Sequence, residues 1–226
     1  MARETRKVPR RTLRRADELL VRTYGQKRRK AGDPLDALIR TILSQNTTDL
    51  NSHAAFASLK QRFPTWEEAL AADPDDIADA IRHGGLAEIK SARIQEILAQ
   101  ITRERGKLSL DFVCDLPVEE AEEYLLSFKG VGPKTAAIVL LFDCGMPLFP
   151  VDTHVFRVTS RLGWLPEGAT PEKAHELLRE LVPEELHFQL HLNLVQHGRE
   201  TCHPRSPDCA SCPLKRLCRA YRAGQV

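Results

Sequence analysis

The sequence predicts an all-α protein, and three observations lead to that prediction. Helix-start signals recur along the chain: a polar cap precedes proline at Asp33-Pro34 and at Asp73-Pro74, and a Thr-x-x-Glu capping box starts at Thr65. Apolar residues behind these caps recur at the three- and four-residue spacing of a helix with one buried face. No convincing run of alternating apolar residues is bounded by the Asn-Gly or Asp-Gly turns of a hairpin.

The elements follow in order from these signals. The helix after Asp33 has an apolar face, the helix after Asp73 is stopped by Gly84 and Gly85, and Thr170-Pro171 repeats the cap-plus-proline signal. An N-terminal helix is also expected. A break is predicted near residues 145–150, where glycine and two prolines interrupt the pattern. The remaining predicted helices cover 86–105, 119–127, 134–142 and 186–197.

Length and composition exclude several classes of protein. A chain of 226 residues with 42% hydrophobic and 28% charged residues fits one or two ordinary globular domains. The longest unbroken apolar run, 136–142, is far below the roughly 18 residues that a membrane helix needs. No apolar segment follows the arginine-rich start, so no secretory signal is expected. The prediction is a soluble, monomeric, cytoplasmic protein without a membrane partner.

The near-neutral total charge hides two basic ends. Residues 1–30 contain 12 Lys and Arg against 3 Asp and Glu, and residues 199–226 contain 6 against 2. Residues 31–198 therefore hold 15 against 26 and are acidic. Basic ends around an acidic middle indicate either a polyanionic partner or solvated basic tails, and charge alone leaves both open.

Cysteine usage points to a metal or cluster site. Soft thiolate ligands at high density suit zinc or an iron–sulfur cluster, and the spacing by itself leaves that choice open. Cys114 and Cys144 stand apart and receive no role. The clustered ligands, at 6-2-5 spacing, are Cys202, Cys209, Cys212 and Cys218.

A short turn between two predicted helices indicates an anion site. After 119–127 come Gly130, Val131 and Gly132, and proline at 133 opens the next helix. Two glycines allow a tight turn with positive φ, which aims backbone N–H groups outward at a helix N-terminus. Such a site is suited to a phosphate, and these three residues are its predicted contacts.

Residues 127–136 resemble the helix–hairpin–helix of the endonuclease III family of DNA glycosylases, except that Lys129 replaces the usual proline. That family has a catalytic lysine after the hairpin and a catalytic aspartate 18 residues later, which match Lys134 and Asp152. A helix start and low exposure would also disfavour the ammonium form of Lys134, as an amine nucleophile requires. The alternatives are a solvated lysine and, for Asp152, a plain helix cap.

The resemblance implies further site residues. The 6-2-5 cysteine spacing, with His197-Gly198-Arg199 before it, is that of the family's [4Fe–4S] cluster, and Arg205 corresponds to its basic loop. Gln45 and Asn46 match the segment that fills the gap left by a flipped nucleotide, and Leu86 matches an apolar wedge. The alternatives are that Gln45 and Asn46 cap a helix and that Leu86 is a core residue.

The implied architecture has two lobes: a six-helix domain over 33–146 that carries the hairpin, and a helical cluster domain formed by 1–32 and 147–226. The implied function is that of a bifunctional DNA glycosylase and abasic-site lyase in base excision repair, acting on oxidised pyrimidines in double-stranded damaged DNA. The alternatives are a mismatch-type glycosylase of the same fold, a weakly active or non-enzymatic DNA-binding protein, and a zinc-bearing interaction domain.

Overall fold

The computed structural model describes residues 8–226, which form two compact units without a strand. One unit is Lys30–Met146, and the other joins the described part of Met1–Arg29 to Pro147–Val226. Part of the basic N-terminal segment and of the predicted 1–32 stretch, residues 1–7, lies outside the described residues. The helices are α1 (Arg10–Tyr24), α2 (Pro34–Ser44), α3 (Asp49–Arg62), α4 (Trp66–Ala71), α5 (Pro74–Ala80), α6 (Ala87–Arg105), α7 (Val118–Leu126), α8 (Pro133–Val139), α9 (Thr153–Leu162), α10 (Pro171–Leu181), α11 (His187–Glu200) and α12 (Arg219–Arg222).

The predicted helix caps of the Lys30–Met146 unit are confirmed. The Asp33 carboxylate accepts hydrogen bonds from the second and third amides of α2, and the Asp73 carboxylate caps α5 by accepting one from the Asp75 amide. Thr65 and Glu68 form the reciprocal capping box of α4. These bonds satisfy amides that have no partner within their own helix, which is why a local sequence signal sets these helix starts.

The core of this unit forms around α2 and α6. The apolar face of α2 is fully buried, and each such side chain contributes about 1.5–3 kcal/mol by leaving water. The helix packs against α3, α6 and α8. It therefore lies at the centre of the unit, and its C-terminus comes close to both α6 and the hairpin.

The unit has seven α-helices rather than the predicted six, because α3 was not expected. The buried face of α3 consists of Ser52, Ala55 and Leu59, so the large apolar residues that reveal a helix are mostly missing. Thr48 caps its start by accepting a hydrogen bond from the Asn51 amide. The helix after Asp73 also ends earlier than predicted, at Ala80, and a 3-10 turn covers Arg82–Gly84.

Helices α7 and α8 form the predicted hairpin, and a disulfide ties its two ends together. The predicted second helix, 134–142, is found as α8 followed by a π-helical turn, Leu140–Cys144. Cys144, at the end of that turn, is bonded to Cys114 in the 3-10 turn Asp111–Asp115, 30 residues earlier. The two cysteines that seemed isolated in the sequence are thus paired.

The second unit is built on α1, α9 and α11. Its core includes Leu13 and Leu20 of α1, Val155 of α9, and Leu190 and Leu194 of α11. Because α1 packs against α11, the described parts of the two basic ends belong to the same unit. Among residues 8–226, no helix has both the length and the apolar composition that crossing a membrane requires.

Candidate functional site: hairpin, N-caps and cysteine pocket

Only one of the two hairpin glycines uses the left-handed backbone. Gly130 has φ +82°, and an added Cβ would lie 2.1 Å from Nε of Arg93, so both conformation and space require glycine. Gly132 caps α8 with φ −107° and ψ 178°, an extended conformation open to any residue. An added Cβ on Gly132 would meet nothing within 4 Å. The two glycines therefore have different roles.

One amide of the hairpin turn is already used, and the amides on either side of it are open. The N–H of Val131 donates to Phe128 O at 3.1 Å, so the prediction that it is open to a phosphate is wrong. Within residues 8–226, the N–H groups of Gly130, Gly132, Lys134 and Thr135 have no backbone or side-chain acceptor. Three amides at one helix start carry partial positive charge and suit an anion.

Lys134 is the second residue of α8 and its side chain is exposed, which corrects the expectation of low exposure. No carboxylate in residues 8–226 forms an ion pair with it. By contrast Lys129, in the hairpin turn before α8, forms an ion pair with Glu96 at 3.0 Å. An exposed amine without an acidic partner is free to meet a ligand.

Asp152 lies in the other unit and caps α9. Its Oδ1 accepts a hydrogen bond from the Val155 amide at 2.7 Å, so the plain-cap alternative describes one oxygen correctly. The residue is half-buried, and Oδ2 receives no hydrogen bond from the described residues. One carboxylate oxygen is thereby fixed by the helix start, and the other is available to a ligand.

The Gln45 side chain links three elements of the Lys30–Met146 unit. Arg93 Nη1 of α6 donates to Gln45 Oε1 at 2.8 Å, and Gln45 Nε2 donates to Gly130 O at 3.3 Å. Gln45 is the C-cap of α2, and Asn46 beyond it is exposed with φ 55°. The Gln45 segment is therefore hydrogen-bonded directly to the hairpin turn.

Leu86 is not a core residue. Its side chain is 50% exposed and its backbone is left-handed at φ 53°, immediately before α6. A fully buried lysine, Lys90, lies on the first turn of that helix, where Nζ donates to Gly84 O at 2.9 Å and to Leu43 O at 2.8 Å. An exposed leucine on strained backbone is available to an external apolar surface.

The four clustered cysteines line one pocket of the second unit, together with apolar side chains of α9. Arg161 Nη1 donates to Cys202 Sγ at 3.2 Å, and Cys218 Sγ donates to Arg161 O at 3.3 Å. Burial raises the pKa of the Cys212 thiol to about 11. A thiolate at this position therefore needs a positive charge beside it.

A polar chain runs from α1 to this pocket. Tyr24 Oη lies 2.9 Å from His197 Nδ1 and 2.8 Å from Thr201 Oγ1, within hydrogen-bond distance of both. His197 Nε2 lies 3.7 Å from Cys212 Sγ. Burial lowers the pKa of His197 to about 4, so the imidazole is neutral at pH 7.

The donor set has the chemistry of a thiolate metal site. Four cysteines line one pocket, and thiolates are the ligands of iron–sulfur clusters and of structural zinc. In residues 8–226 no three or more His, Cys, Asp or Glu side chains are arranged to hold a single ion, and the cluster stays a prediction.

Arg205, between the first two cysteines, is exposed. It forms no ion pair with the described residues, and the following residue, Ser206, has φ 48°. The side chain is therefore open to solvent on a loop of unusual backbone, which agrees with a basic surface contact.

Several residues of these sites had no signal in the sequence. Lys90, Arg93 and Arg161 look like ordinary charges on amphipathic helices, and only the fold brings them to a carbonyl, an amide or a sulfur. Lys90 offered one usable hint, since it lies on the apolar side of α6, four residues before Ile94.

Comparison with known proteins gives a consistent match. Residues 39–184 match the family model described as HhH-GPD superfamily base excision DNA repair protein. Endonuclease III of Thermotoga maritima is 38% identical over 193 residues, 85% of this chain and 86% of that relative. A candidate DNA glycosylase of Arabidopsis thaliana is 47% identical over 165 residues, 73% of this chain but only 56% of the relative's length.

A solved structure shows the same architecture. Endonuclease III, trapped as a covalent intermediate with DNA, superposes with a TM-score of 0.81 at 26% identity. The match covers 97% of this chain and 100% of that chain.

Proposed function

Since the chain belongs to the HhH-GPD superfamily of base excision DNA repair proteins, and within it to the endonuclease III family, we propose that it is a bifunctional DNA glycosylase and abasic-site lyase. Its substrates are duplexes that contain oxidised pyrimidines such as thymine glycol. The related endonuclease III was trapped as a covalent intermediate with DNA, which supports covalent catalysis in this chain.

One observation carries the proposal. Lys134 is exposed, has no acidic partner in residues 8–226, and stands on the helical turn that also presents three open amides. The amides bind a backbone phosphate, so the deoxyribose next to that phosphate comes within reach of the amine. A phosphate anchor and a nucleophile thus occupy one turn of α8.

The chemistry balances with Lys134 as nucleophile. The damaged nucleotide is flipped out of the stack, because its glycosidic bond is inaccessible in the duplex. Lys134 Nζ attacks C1′, the C1′–N bond breaks with its electron pair going to the base, and the base takes up a proton. Opening of the sugar ring yields a Schiff base, and loss of a 2′ proton then expels the 3′ phosphate. Water hydrolyses the imine and frees the lysine.

Asp152 supplies negative charge in this scheme. Its Oδ1 is fixed by the α9 cap, which orients the carboxylate, and Oδ2 has no hydrogen bond from the described residues and is available to a ligand. The carboxylate stabilises the positive charge that develops as the base departs, or it accepts a proton from the lysine. Both roles need the ionised group.

Borohydride trapping on a thymine-glycol duplex tests these assignments. Wild type should form a covalent adduct, and Lys134→Ala should abolish it. Lys129→Ala is the matched control, because that lysine lies in the same hairpin but pairs with Glu96. This variant should still form the adduct when enzyme is in excess. Asp152→Asn preserves a capping oxygen, so it should slow trapping about a hundredfold or more without loss of stability.

Retention of the adduct in Lys134→Ala would assign the nucleophile to another residue. Duplexes with an abasic site and with an A·8-oxoguanine pair complete the panel. Cleavage of only the last would favour a mismatch-type glycosylase. Tight binding without any cleavage would favour a non-enzymatic DNA-binding protein.

We also propose that Cys202, Cys209, Cys212 and Cys218 hold a [4Fe–4S] cluster, which would stabilise the second unit and its exposed Arg205 loop. Metal analysis of protein from its native host should find about four irons per chain and a visible absorption band. Cys212→Ser should lose both, while Cys114→Ser, outside the pocket, should retain them. Stoichiometric zinc without iron would contradict the proposal.

DNA recognition in this proposal uses two further segments of the Lys30–Met146 unit. Gln45 and Asn46 fill the space that the flipped nucleotide leaves, and Leu86 wedges into the opposite strand. The exposure of Asn46 and Leu86 supports these roles. The basic residues of the second unit add phosphate contacts, which accounts for the charge asymmetry of the chain.

A further inference from the structure

Two exposed segments of the Lys30–Met146 unit share an unusual backbone. Asn46 follows α2 with φ 55°, and Leu86 precedes α6 with φ 53°. Asparagine tolerates this region, whereas leucine pays of the order of 1–2 kcal/mol for it. The Leu86 side chain is half exposed, and Ile89 beside it is 55% exposed, so burial of these side chains does not repay the cost.

Lys90 is bonded to the backbone just before each segment. Its Nζ donates to Leu43 O at 2.8 Å, three residues before Asn46, and to Gly84 O at 2.9 Å, two residues before Leu86. Both carbonyls belong to helix C-terminal ends, one of α2 and one of the 3-10 turn Arg82–Gly84. A single amine therefore bridges the two backbones.

Burying the Lys90 amine costs free energy that an apolar side chain of the same size would not. Lys90 is 1% exposed, no carboxylate in residues 8–226 pairs with it, and the only charged group noted near it is Arg93. The helix-end carbonyls offset part of the desolvation of a buried amine. A methionine of similar volume would fill the same space without any desolvation. What methionine would not supply is a fixed distance between Leu43 O and Gly84 O.

The surroundings are built for close approach at this point. An added Cβ on Gly84 would lie 3.2 Å from the Ala55 Cβ and 3.9 Å from Lys90 Nζ. One helical turn further along α6, Arg93 holds the Gln45 side chain. The N-terminal part of α6 therefore holds the C-terminal end of α2 at two points. Lys90 binds the α2 backbone at Leu43 O, and Arg93 binds the side chain of Gln45, the residue that caps α2.

We propose that Lys90 is a positioning residue for lesion recognition, holding the Gln45–Asn46 segment at a fixed separation from the Leu86 segment. The inference rests on the proposed function, in which these segments enter the duplex together. Without the bridge the two segments move independently, and extrusion of the damaged nucleotide slows.

The experiment measures base excision from a thymine-glycol duplex in single turnover, with saturating enzyme. Lys90→Met removes the bridge, Lys90→Gln keeps one shorter donor group, and Lys107→Met is the control at an exposed lysine. A 2-aminopurine opposite the lesion reports unstacking by its fluorescence. The rate constant and the fluorescence rise should both fall about tenfold or more in Lys90→Met and less in Lys90→Gln.

A merely structural role predicts a different pattern. Partial unfolding lowers the fraction of active molecules, which borohydride trapping with DNA in excess counts, and leaves the saturated single-turnover rate constant unchanged. Wild-type rate constants in both Lys90 variants, with a full fluorescence rise, would overturn the proposal. Should Lys90→Met fail to fold, Lys90→Gln decides alone. Absence of base release by wild type refutes the proposed function itself, and this inference with it.

Discussion

The two hairpin glycines provide a test that separates folding from DNA binding. Gly130 has φ +82°, and Arg93 atoms lie 2.1–2.6 Å from the position of an added Cβ. Gly132 has extended backbone, and nothing lies within 4 Å of that position. The same substitution, glycine to alanine, should therefore have opposite consequences two residues apart.

The magnitudes follow from these contacts. For Gly130→Ala, left-handed alanine costs about 1–2 kcal/mol, and displacing Arg93 from Gln45 costs about another 0.5–1.5 kcal/mol. With a urea slope of about 1–3 kcal/mol/M, the unfolding midpoint should fall by about 0.5–3.5 M. Gly132→Ala should cost only about 0.5–1 kcal/mol through poorer capping of α8.

DNA affinity should follow the opposite order. The methyl group of Gly132→Ala enters the space in front of the open amides, where a phosphate is proposed to bind. Hydrogen bonds to a charged group contribute about 1.5–3 kcal/mol, so Kd should rise about tenfold or more. The folded fraction of Gly130→Ala should lose less affinity than Gly132→Ala, because its methyl group meets Arg93 and not the amides of α8.

Urea unfolding followed by circular dichroism and fluorescence anisotropy on a labelled duplex measure the two effects. The reasoning is refuted if both variants lose equal stability, because the φ of Gly130 would then have no consequence. It is refuted equally if Gly132→Ala binds DNA like wild type, because the amides of α8 would then not contact phosphate.

Two further predictions concern stability. The Cys114–Cys144 disulfide closes a 30-residue loop, so the free energy of unfolding of the oxidised protein, measured in urea, should exceed that of a Cys114→Ala/Cys144→Ala variant by up to about 3.6 kcal/mol. Reductant should not change the midpoint of the variant. Equal midpoints of the two proteins would contradict a stabilising disulfide. Burial, with Glu18 nearby, raises the pKa of Asp17 from 3.8 to about 6, and Oδ1 has no hydrogen-bond partner in residues 8–226. The protonated form is favoured on folding, so this contribution to stability is present below about pH 4 and is lost as the pH rises through about 6. Asp17→Asn should therefore raise the free energy of unfolding by about 1–3 kcal/mol above pH 6 and have little effect at pH 4, which urea titrations at both pH values will check.

Family, all-α fold and helix starts could be read from the sequence because each rests on local residues or on a spacing. The caps at Asp33 and Thr65 act on amides two or three positions away, so no tertiary contact is needed to find them. The family prediction is confirmed by the match over residues 39–184 and by the fold of endonuclease III.

The features that could not be predicted depend on distant residues. The partner of Cys114 lies 30 positions away, and no pattern relates the two cysteines. Helix α3 buries mainly small residues, which carry no periodic apolar signal. Low exposure of Lys134 follows from its helix start only if the surroundings are ignored, and in the structure Pro133 and Lys134 at the start of α8 are exposed. The use of the Val131 amide likewise depends on the shape of the turn.

Backbone strain offers support for the recognition segments that is independent of the resemblance. In residues 8–226 the non-glycine residues with positive φ are Asn46, Leu86 and Ser206. Two of them are the residues matched to the family's wedges, and the third follows Arg205. A resemblance compares residue identities and contains no φ angle, so this coincidence does not follow from it. Left-handed backbone persists only where neighbours impose it, and Lys90 is the neighbour that reaches the chain before both Asn46 and Leu86. We therefore expect that the backbone at Asn46 and Leu86 is held for contact with a surface outside the fold.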